Sequence, residues 1–514
     1  MPDPISPETE FSGFSAFIER NAILYGDKVY LQSIDQKTEI TYEKLAQATA
    51  AIGHMLSALG IRARDRIMLL GGNSMEHAVS FLGILRYGAC VCTANVEANA
   101  AHLSKILNTV GPSLVIYESN PETDAVIEAW SGPKRALGDW PDPVDSDTPV
   151  VGAPDDPGVI FYTSGTDAAP KGVVYSHATL FHNTDAGMTA LDIGEADRVL
   201  DFRSCAWVSA QEIALLGPLI RGATSVLARQ FSRSQYLEWI RDYRITFAAC
   251  VPAAISMLLS KPVELSVIDM PTLRYIGSSS APLLDKDTMA FEKRYGVIVA
   301  QSMGSSEMGW ITGTNGEDRR PGSAGRATKY QHIEIVDEGG QPVPAGVTGL
   351  ISVTSDRQRM LGYLKPNGTI EAVIAGPRLS GDFGYLDPEG YLFVTGRNSD
   401  LINRGGVNIA PLEIDGVLVE LPGLADAGTI GVPDPIWGEE VVSYVVPTPG
   451  HDLSVEMITA HCRKRLAAGK VPRLIIFQQK LPRTDRGKLD RNALRTHWRK
   501  NHAGVDLRPT TNAI

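Results

Sequence analysis

Hydrophobic and polar positions alternate along this chain with two different periods. Near the N-terminus, apolar residues recur at helical spacings of three and four, at Leu45, Ala48, Ile52, Leu56 and Leu59. The segments that follow predict a buried strand in DRIMLLGG, a second helix in SMEHAVSFLGILRYGA that ends near Gly88, and another strand in SLVIYE. Helices that alternate with almost continuously apolar strands are typical of α/β layers on largely parallel sheets.

The pattern changes after about Gly322. Two segments there, HIEIVDEGGQPVPAGVTGLISVTS and GYLDPEGYLFVTG, are short apolar runs interrupted by Gly and Pro, which predicts a small β-rich subdomain. Beyond Asp400 the pattern is again mixed, with a helix predicted in VEMITAHCRKRLAAG. We therefore expect a large N-terminal domain of layered mixed and parallel sheets with helices, residues 1–399, and a small, mobile α+β C-terminal domain, residues 400–514.

Composition narrows the class of protein. A chain of 514 residues exceeds what one hydrophobic core usually supports, and 43% hydrophobic with 21% charged residues is ordinary for a soluble protein. The net charge of −11 argues against nucleic acid as a partner. No apolar run approaches the ~18 residues of a membrane span, and MPDPISPETEF lacks a basic-then-apolar leader, so we expect a cytoplasmic protein without a membrane partner. A homodimer is compatible with the sequence, which does not fix the oligomeric state.

The five cysteines are scattered rather than spaced as a disulfide framework. Cys90 and Cys92 form a CxC pair, but no second Cys/His pair follows at zinc spacing. We therefore predict that the cysteines are buried thiols.

One short segment, FYTSGTDAAPKG, combines hydroxyl side chains, glycine and a lysine. In such a turn the backbone N–H groups, the hydroxyls of Thr163, Ser164 and Thr166, and the ammonium of Lys171 would form an anion site. It is not a Walker loop, because Gly172 follows the lysine where that pattern has Ser or Thr. Taken alone, a Ser/Thr/Gly loop with a lysine is more often a solvent-exposed turn, and only the rest of the chain changes that interpretation.

Five segments in a fixed order resemble the adenylate-forming superfamily of acyl-CoA synthetases, peptide-synthetase adenylation domains and firefly-type luciferases. TSGTDAAPKGV resembles the family's phosphate loop, GSSSAPL its acid-pocket loop, and QSMGSSEMG its segment ending in Thr-Glu. SGDFGYLDPEGYLFVTGR followed by NSDLINRGGVNIAPLEID is similar to the ribose-binding segment and the interdomain hinge, and LPRTDRGKLDR to the terminal lysine motif. These matches cover most of the chain.

The resemblance implies carboxylate activation. An acid attacks the α-phosphorus of ATP, pyrophosphate leaves, and in most members a thiol takes the acyl group from the acyl adenylate. It implies ATP, Mg²⁺ and CoA as cofactors, with the β- and γ-phosphates held by Thr163, Ser164, Gly165, Thr166 and Lys171. Glu307, together with Thr166, is expected to hold Mg²⁺.

Other roles carried by the resemblance concern the nucleoside and the reacting groups. Asp382 is expected to accept both ribose hydroxyls, Arg397 to assist at the ribose or α-phosphate, and Lys488 to draw the carboxylate and the α-phosphate together. The catalytic set is then Lys488, Lys171 and Glu307. Further nucleotide contacts are expected from Ser280, Met303, Gly304, Ser305 and Ser306. Without the ordered motifs, each carboxylate or lysine would be read as a solvated surface charge.

The C-terminal domain is expected to move as a lid. The family places its hinge at the position of Asp400, and rotation there would withdraw Lys488 and admit a thiol. Gly405 and Gly406 match the segment that lines the pantetheine tunnel, where absent side chains leave room for a narrow thiol arm. A simple Gly-Gly turn is the alternative.

This sequence departs from the family pattern at four positions. Asp167 and Ala168 stand where Thr and Gly are usual, so the phosphate loop is locally less cationic. Met303 replaces a common adenine-stacking aromatic, and Asn403 a frequent lysine after the hinge.

The acid pocket is expected along residues 204–212 and 277–281, with lining candidates Trp207, Ser209, Gln211, Gly277, Ser278 and Met303. If Trp207 projects inward, it shortens the pocket and favours a small or flat acid; a core tryptophan is the alternative. Arg203, Ser209 and Gln211 are candidates for contact with a polar substituent.

Three functions remain open at this point. The first is a carboxylate–CoA ligase, the second a stand-alone enzyme that loads a carrier protein, and the third a catalytically silent or luciferase-like relative. The first is preferred because the chain ends soon after LPRTDRGKLDR, without an appended carrier domain.

Overall fold

The structure is a computed structural model that describes residues 11–94, 99–143, 148–162, 171–483 and 489–502. Its α-helices, in chain order, are α1 (Phe14–Tyr25), α2 (Tyr42–Ala58), α3 (Met75–Tyr87), α4 (Ala100–Val110), α5 (Pro121–Glu128), α6 (His177–Ala190), α7 (Val208–Ala210), α8 (Gly217–Arg221), α9 (Tyr236–Asp242), α10 (Pro252–Ser260), α11 (Asp285–Tyr295), α12 (Pro411–Val419), α13 (Val455–Arg463) and α14 (Arg491–Asn501). A π-helix, Gln211–Leu216, joins α7 to α8.

The strands fall into two groups along the chain. The first group is β1 (Val29–Ser33), β2 (Thr38–Thr41), β3 (Arg66–Leu70), β4 (Cys90–Thr93), β5 (Leu114–Tyr117), β6 (Lys134–Ala136), β7 (Pro157–Tyr162), β8 (Gly172–Ser176), β9 (Arg198–Asp201), β10 (Thr224–Leu227), β11 (Phe247–Cys250), β12 (Tyr275–Ser278) and β13 (Val299–Gln301). The second is β14 (Met303–Ser305), β15 (Gly309–Gly313), β16 (Arg326–Ala327), β17 (Gln331–Val336), β18 (Gly349–Ser355), β19 (Gly362–Leu364), β20 (Ile370–Ala372), β21 (Arg378–Leu386), β22 (Leu392–Arg397), β23 (Ile402–Arg404), β24 (Val407–Ile409), β25 (Leu424–Asp434), β26 (Gly438–Pro447) and β27 (Leu474–Phe477).

Two large sheets form the core of the N-terminal part. One has the order β13-β12-β11-β9-β10-β1-β2 and is parallel except for its β1–β2 edge. The other has the order β20-β19-β8-β7-β4-β3-β5-β6, parallel from β7 to β6 and antiparallel from β7 to β20. Helices pack between and outside these sheets, which confirms the predicted fold class of layered mixed and parallel sheets.

The predicted elements of the first hundred residues are present for identifiable local reasons. The α2 helix begins after Thr41, whose hydroxyl accepts from the Lys44 N–H, and it buries every residue of the predicted apolar face except Leu59. Leu59 follows the last helical residue and is 43% exposed. The α3 helix ends where expected, because Gly88 adopts φ 94°, a left-handed conformation that glycine tolerates.

The predicted β-rich region is a four-stranded antiparallel sheet in the order β17-β18-β21-β22. One part of the region departs from the prediction: β19 and β20 leave it and extend the large sheet, with Tyr363 of β19 opposite Val173 of β8. This exchange brings the segment around Tyr363 next to Lys171.

The residues from Ile402 onward form a further sheet, β24-β23-β26-β25, with β27 paired to β26. Helices α12 and α13 cover one apolar cluster of this sheet, while α14 belongs to a second. The α13 helix is shorter than its sequence pattern predicts and ends at Arg463. The cysteine prediction is confirmed, since all five thiols are free and buried. In the described part of the chain, no helix is long and apolar enough to cross a membrane.

Candidate active site

The described residues do not include the phosphate-loop candidates Thr163, Ser164, Gly165 and Thr166. They also do not include Asp167 and Ala168, two of the positions that depart from the family pattern. The strands on either side of them are described. β7 and β8 are antiparallel neighbours, with Tyr162 opposite Gly172. Lys171 directly precedes β8 and is exposed, and its Nζ lies 5.6 Å from the centre of the Tyr363 ring.

Tyr363 connects this lysine to the predicted metal-binding carboxylate. Its hydroxyl is close enough to Glu307 that burial, followed by the charge of that carboxylate, raises the pKa of the hydroxyl. The hydroxyl is therefore protonated at neutral pH and is available to donate to the carboxylate. The structure thus brings Lys171 and Glu307 close to the same aromatic side chain, Lys171 over its ring and Glu307 near its hydroxyl.

Glu307 is presented by a hairpin, named here the Glu307 hairpin, which consists of β14, residues 306–308 and β15. Met303, Gly304 and Ser305 form β14, and the Ser306 carbonyl accepts from the Tyr175 hydroxyl at 2.9 Å. Tyr175 is fully buried on β8, so this bond fixes the turn to the same sheet that carries Lys171.

The first acid-pocket segment lies between β9 and the π-helix. Trp207 is half-buried at the start of α7, and its carbonyl accepts from the Ala210 N–H at 3.0 Å. Gln211 is completely buried, with Nε2 donating to Thr93 Oγ1 at 3.0 Å and to the Cys205 carbonyl at 2.9 Å. These bonds hold the segment against β4.

Arg203 does not offer a free positive charge to this pocket. Its guanidinium is buried against Asp201, with Nη2 at 2.6 Å from Oδ2. Nη1 donates to Ser209 Oγ at 3.4 Å and to Ser279 Oγ at 3.3 Å. The residue therefore joins the two predicted pocket segments, and Asp201 neutralises its charge.

The second acid-pocket segment continues from β12. Gly277 has no room for a side chain, because a Cβ there would lie 2.7 Å from the Phe247 ring. Ser278 is buried, and among the described residues its Oγ has no hydrogen-bond partner. Ser280 adopts φ 75°, a left-handed conformation that is costly for a residue other than glycine and is typical of functional loops.

Asp382 and Arg397 are brought together by the β21–β22 pairing. They are directly opposite each other in the register, with Arg397 Nε 3.7 Å from Asp382 Oδ1. Asp382 is half-buried, whereas Arg397 is exposed. The carboxylate of Asp382 and the guanidinium of Arg397 therefore lie side by side on neighbouring strands of this sheet.

Asp400, the predicted hinge, ends a single 3₁₀ turn and is tied to the last helix. Its carboxylate lies 3.7 Å from Arg491 Nη1 and 3.5 Å from Arg495 Nη1. Arg491 is itself buried against Asp415. Lys488 lies outside the described residues, but Leu489 next to it forms an antiparallel bridge with Arg483.

Gly405 and Gly406 form the turn between β23 and β24 with φ of 60° and 83°. A Cβ on Gly405 would lie 2.7 Å from the Trp437 ring, and the Gly405 N–H donates to the Trp437 carbonyl at 2.7 Å. Gly406 has open space around it, and its N–H donates to Asn403 Oδ1 at 3.2 Å. Asn403, which stands where the family frequently has lysine, therefore stabilises this turn through its side-chain oxygen.

Two residues of this region were given no individual role by the sequence, although Glu212 closes the predicted pocket segment 204–212. Tyr363 lies in a plain Gly-Tyr-Leu segment that carries no chemical signal. Glu212 is different, since a carboxylate inside the apolar run QEIALLGPLI indicates a buried charge that needs donors. Glu212 is buried in the π-helix, and burial raises the pKa of its carboxyl to about 8.

Family models match both parts of the chain. Residues 18–364 match the AMP-binding enzyme family, and residues 413–488 match the AMP-binding enzyme C-terminal domain. The chain belongs to the AMP-binding enzyme family. This AMP-binding enzyme is therefore an adenylate-forming protein, and the resemblance drawn from its motifs is confirmed.

Curated relatives of this AMP-binding enzyme cover nearly its whole length. It is 31% identical to the sulfoacetate–CoA ligase of Cupriavidus necator over 95% of this chain and 98% of the relative. It is 30% identical to the long-chain-fatty-acid–CoA ligase FadD13 of Mycobacterium tuberculosis over 90% of this chain and 95% of the relative. The indoleacetate–CoA ligase of Aromatoleum aromaticum is 30% identical over 94% of this chain.

Solved structures share the fold. The anthranilate CoA ligase AuaEII in complex with anthranoyl-AMP superimposes with a TM-score of 0.83 at 25% identity, over 94% of this chain and 97% of that one. The Mycobacterium tuberculosis fatty acyl CoA synthetase gives a TM-score of 0.73 at 28% identity and covers 95% of this chain. The acids named for these proteins differ in size and polarity, so the family does not fix the acid used here.

Proposed function

We propose that this AMP-binding enzyme is an ATP-dependent carboxylate–CoA ligase that forms an acyl adenylate and then an acyl-CoA thioester. The observation that carries the proposal is the convergence of Lys171, Tyr363 and Glu307 beside the two strands that flank the hydroxyl-rich loop. CoA ligases that match over nearly the full length support the same reaction.

The first half-reaction joins two anions. A carboxylate oxygen of the acid attacks the α-phosphorus of ATP, the bond to the β-phosphate oxygen breaks, and pyrophosphate leaves with that electron pair. Lys171 offsets the charge of the phosphates, and Lys488 is supplied by the C-terminal part to bridge the carboxylate and the α-phosphate. Asp382 accepts the ribose hydroxyls, and its neighbour Arg397 limits the repulsion between that carboxylate and the phosphates.

The donor set around Glu307 suits Mg²⁺. A single half-buried carboxylate near the Tyr363 hydroxyl leaves the remaining positions to phosphate oxygens and water, as this cation prefers. Mg²⁺ held there would neutralise charge on the phosphates and the leaving group. The Tyr363 hydroxyl is available to donate to this carboxylate when the nucleotide binds.

The second half-reaction needs a different orientation of the C-terminal domain. The thiol of CoA attacks the acyl carbon, AMP leaves, and Lys488 is no longer required. We infer that rotation at Asp400, between domains 1–399 and 400–514, withdraws the lysine and brings the Gly405–Gly406 turn forward. The exposed, side-chain-free Gly406 is suited to admit a narrow pantetheine arm.

The acid is expected to be small or flat. Trp207 is half-buried at the start of α7, beside a pocket segment tied down through Gln211 and Arg203. A rigid wall that ends in an indole shortens the space available to an acyl chain. Because Asp201 neutralises Arg203, the proposal does not require a second anionic group on the acid.

The experiment that tests this function is ATP–pyrophosphate exchange driven by a panel of short, branched, hydroxylated and aromatic acids. Acid-dependent exchange, followed by thioester formation with free CoA, is the expected result. If no acid of the panel drives exchange while the protein binds MgATP, a silent binding function replaces the proposal.

Loading of a carrier protein is the alternative acceptor reaction. It is raised by a relative named fatty acid–[acyl-carrier-protein] ligase ScoC of Streptomyces coeruleorubidus, which is 30% identical over 89% of this chain. Exchange without any thioester on free CoA, but with acylation of a phosphopantetheinylated carrier, would favour it.

A further inference from the structure

A buried carboxyl group links the acid-pocket segment to the Glu307 hairpin. Glu212 Oε2 accepts from the indole N–H of Trp310 at 2.8 Å, and its Oε1 accepts from the side-chain amide of Asn183. Trp310 belongs to β15, Asn183 to α6 and Glu212 to the π-helix that begins at Gln211. Three elements therefore meet at one carboxyl group, and π-helical turns are frequent at functional sites.

The second amide atom of Asn183 extends this contact to the hairpin backbone. Asn183 Oδ1 accepts from the Trp310 backbone N–H at 2.7 Å and from Gln358 Nε2 at 2.6 Å. Gly309 adopts φ 70° next to Asn183, and a side chain there would collide with the amide. Because Glu307 precedes Gly309 by two residues, the contacts of Glu212 with Trp310 and Asn183 lie next to the turn that presents Glu307.

The charged groups around Glu212 do not compensate for the free-energy cost of burying its ionised carboxylate. Arg203, which follows β9, faces it, but Asp201 neutralises that guanidinium. Tyr175 of β8 is buried, and burial raises its pKa, so it is neutral near pH 7. On α6 the contact is the uncharged Asn183, while Asp185 of that helix pairs with Arg221 of α8. The adjacent α7 and β10 carry no charged residues.

We propose that Glu212 is a positioning residue of the adenylation site, whose ionised carboxylate accepts from Trp310 and Asn183 and thereby holds Glu307 in place for MgATP. The proposal rests on the proposed function, since it concerns the same nucleotide site. Only the carboxylate accepts at both oxygens without conflict, because a protonated oxygen carries a hydrogen that must find an acceptor of its own. The buried carboxyl gives up its proton near pH 8, so the hairpin is held best above that pH.

The decisive experiment follows the dissociation constant of MgATP by calorimetry from about pH 6.5 to about pH 9. For the unaltered protein, affinity is expected to rise about fivefold or more through an inflection near pH 8. The variant Glu212→Gln keeps the shape of the side chain but has no proton to lose. It is expected to remain at the weak affinity over the whole range.

A second variant checks the direction of the effect. Trp310→Phe removes the N–H that stabilises the carboxylate and keeps an aromatic ring, so the inflection is expected to move to higher pH. Asp197→Asn is the matched control, because Asp197 is another buried carboxyl that accepts from neighbouring donors, among them the Gly194 N–H at 2.7 Å. It is expected to leave the inflection unchanged.

Two outcomes overturn the inference. One is an inflection in Glu212→Gln equal to that of the unaltered protein; the other is an inflection that stays in place, or falls, in Trp310→Phe. If Glu212→Gln does not fold, the shift in Trp310→Phe decides alone. Because MgATP binding needs no acid, failure of every acid to drive pyrophosphate exchange would reject the proposed function without affecting this test.

Discussion

The hydroxyl of Tyr363 lies near the carboxylate of Glu307, whose charge raises the pKa of that hydroxyl, and the ring of the same tyrosine faces the Lys171 ammonium at 5.6 Å. One side chain therefore sets the separation of a cation and an anion that would both act on the phosphates of ATP. The pairing of β19 with β8 creates this arrangement, since it places Tyr363 opposite Val173. It also allows the hydroxyl to be removed while the ring stays beside Lys171.

Tyr363→Phe removes the hydroxyl that lies near Glu307 and keeps the ring beside Lys171. If this hydroxyl donates to the carboxylate when MgATP binds, the bond is worth about 1.5 kcal/mol, and we expect the KM for MgATP in pyrophosphate exchange to rise about tenfold. Tyr363→Leu removes both contacts and is expected to raise it further. Tyr25→Phe is the matched control, because the Tyr25 hydroxyl donates to Glu195 at 3.5 Å elsewhere in the protein. Equal KM values for the phenylalanine variant and the unaltered enzyme would contradict the prediction.

Much of the fold follows from local sequence pattern. The α2 helix buries the apolar face that its spacing predicts, while β3, α3 and β5 are buried almost continuously, as their apolar runs predict. The transfer of β19 and β20 to the large sheet has no local signature, because it depends on a partner strand far earlier in the chain.

Some residues of the candidate site follow from sequence motifs, and others follow only from the three-dimensional structure. Glu307, Asp382 and Arg397 lie in motifs that resemblance identifies, and the structure supplies their neighbours. Tyr363 acts through a pairing that the sequence does not encode locally, so nothing in Gly-Tyr-Leu points to it. For Glu212 the apolar run around it was a signal of a buried carboxyl, but its donors come from two distant elements.

Asp382→Asn tests the ribose contact. If Asp382 accepts both ribose hydroxyls as proposed, replacement of the carboxylate by an amide weakens these two bonds, and the KM for MgATP is expected to rise about tenfold or more. With 2′-deoxyATP the variant and the unaltered enzyme should differ less, because one bond is already absent. Asp387→Asn is the control, since Asp387 pairs with Arg320 in the turn after β21. An equal loss with both nucleotides would place the role of Asp382 outside the ribose.

Lys488→Ala and Gly406→Leu separate the two half-reactions. The lysine variant is expected to lose pyrophosphate exchange about a hundredfold or more and to retain thioester formation from preformed acyl adenylate. The leucine variant is expected to show the reverse. Gly450→Leu controls for backbone strain, because Gly450 has φ 84° and open surroundings, like Gly406 at φ 83°. Equal loss of both half-reactions in Lys488→Ala would rule out alternation at Asp400.

Trp207→Gly tests the length of the acid pocket. If the indole ends the pocket, its removal extends the range of accepted acids by several carbons, and kcat/KM for the native acid falls because its contacts are lost. The acid panel is measured by pyrophosphate release. Trp140→Gly serves as the control, as Trp140 is another partly buried indole, packed against the main hydrophobic cluster. An unchanged acid profile in Trp207→Gly would make this tryptophan a core residue.

Glu212 also predicts how stability depends on pH. Its carboxyl pKa rises from 4.5 to about 8 on folding because burial disfavours the charged form. The folded state therefore holds a proton that the unfolded state has lost between these values, and stability falls as pH rises through this window. The slope from this group approaches about 1.4 kcal/mol per pH unit.

Urea unfolding at about pH 5.5 and about pH 7.5 measures this effect. The urea midpoint of the unaltered protein should be lower at the higher pH, and the decrease should be smaller for Glu212→Gln. Asp415, whose pKa is raised to about 6, acts in the same direction in both proteins, so the difference between them isolates Glu212. Parallel urea midpoints in the two proteins would mean that Glu212 is already ionised in the folded state at the lower pH.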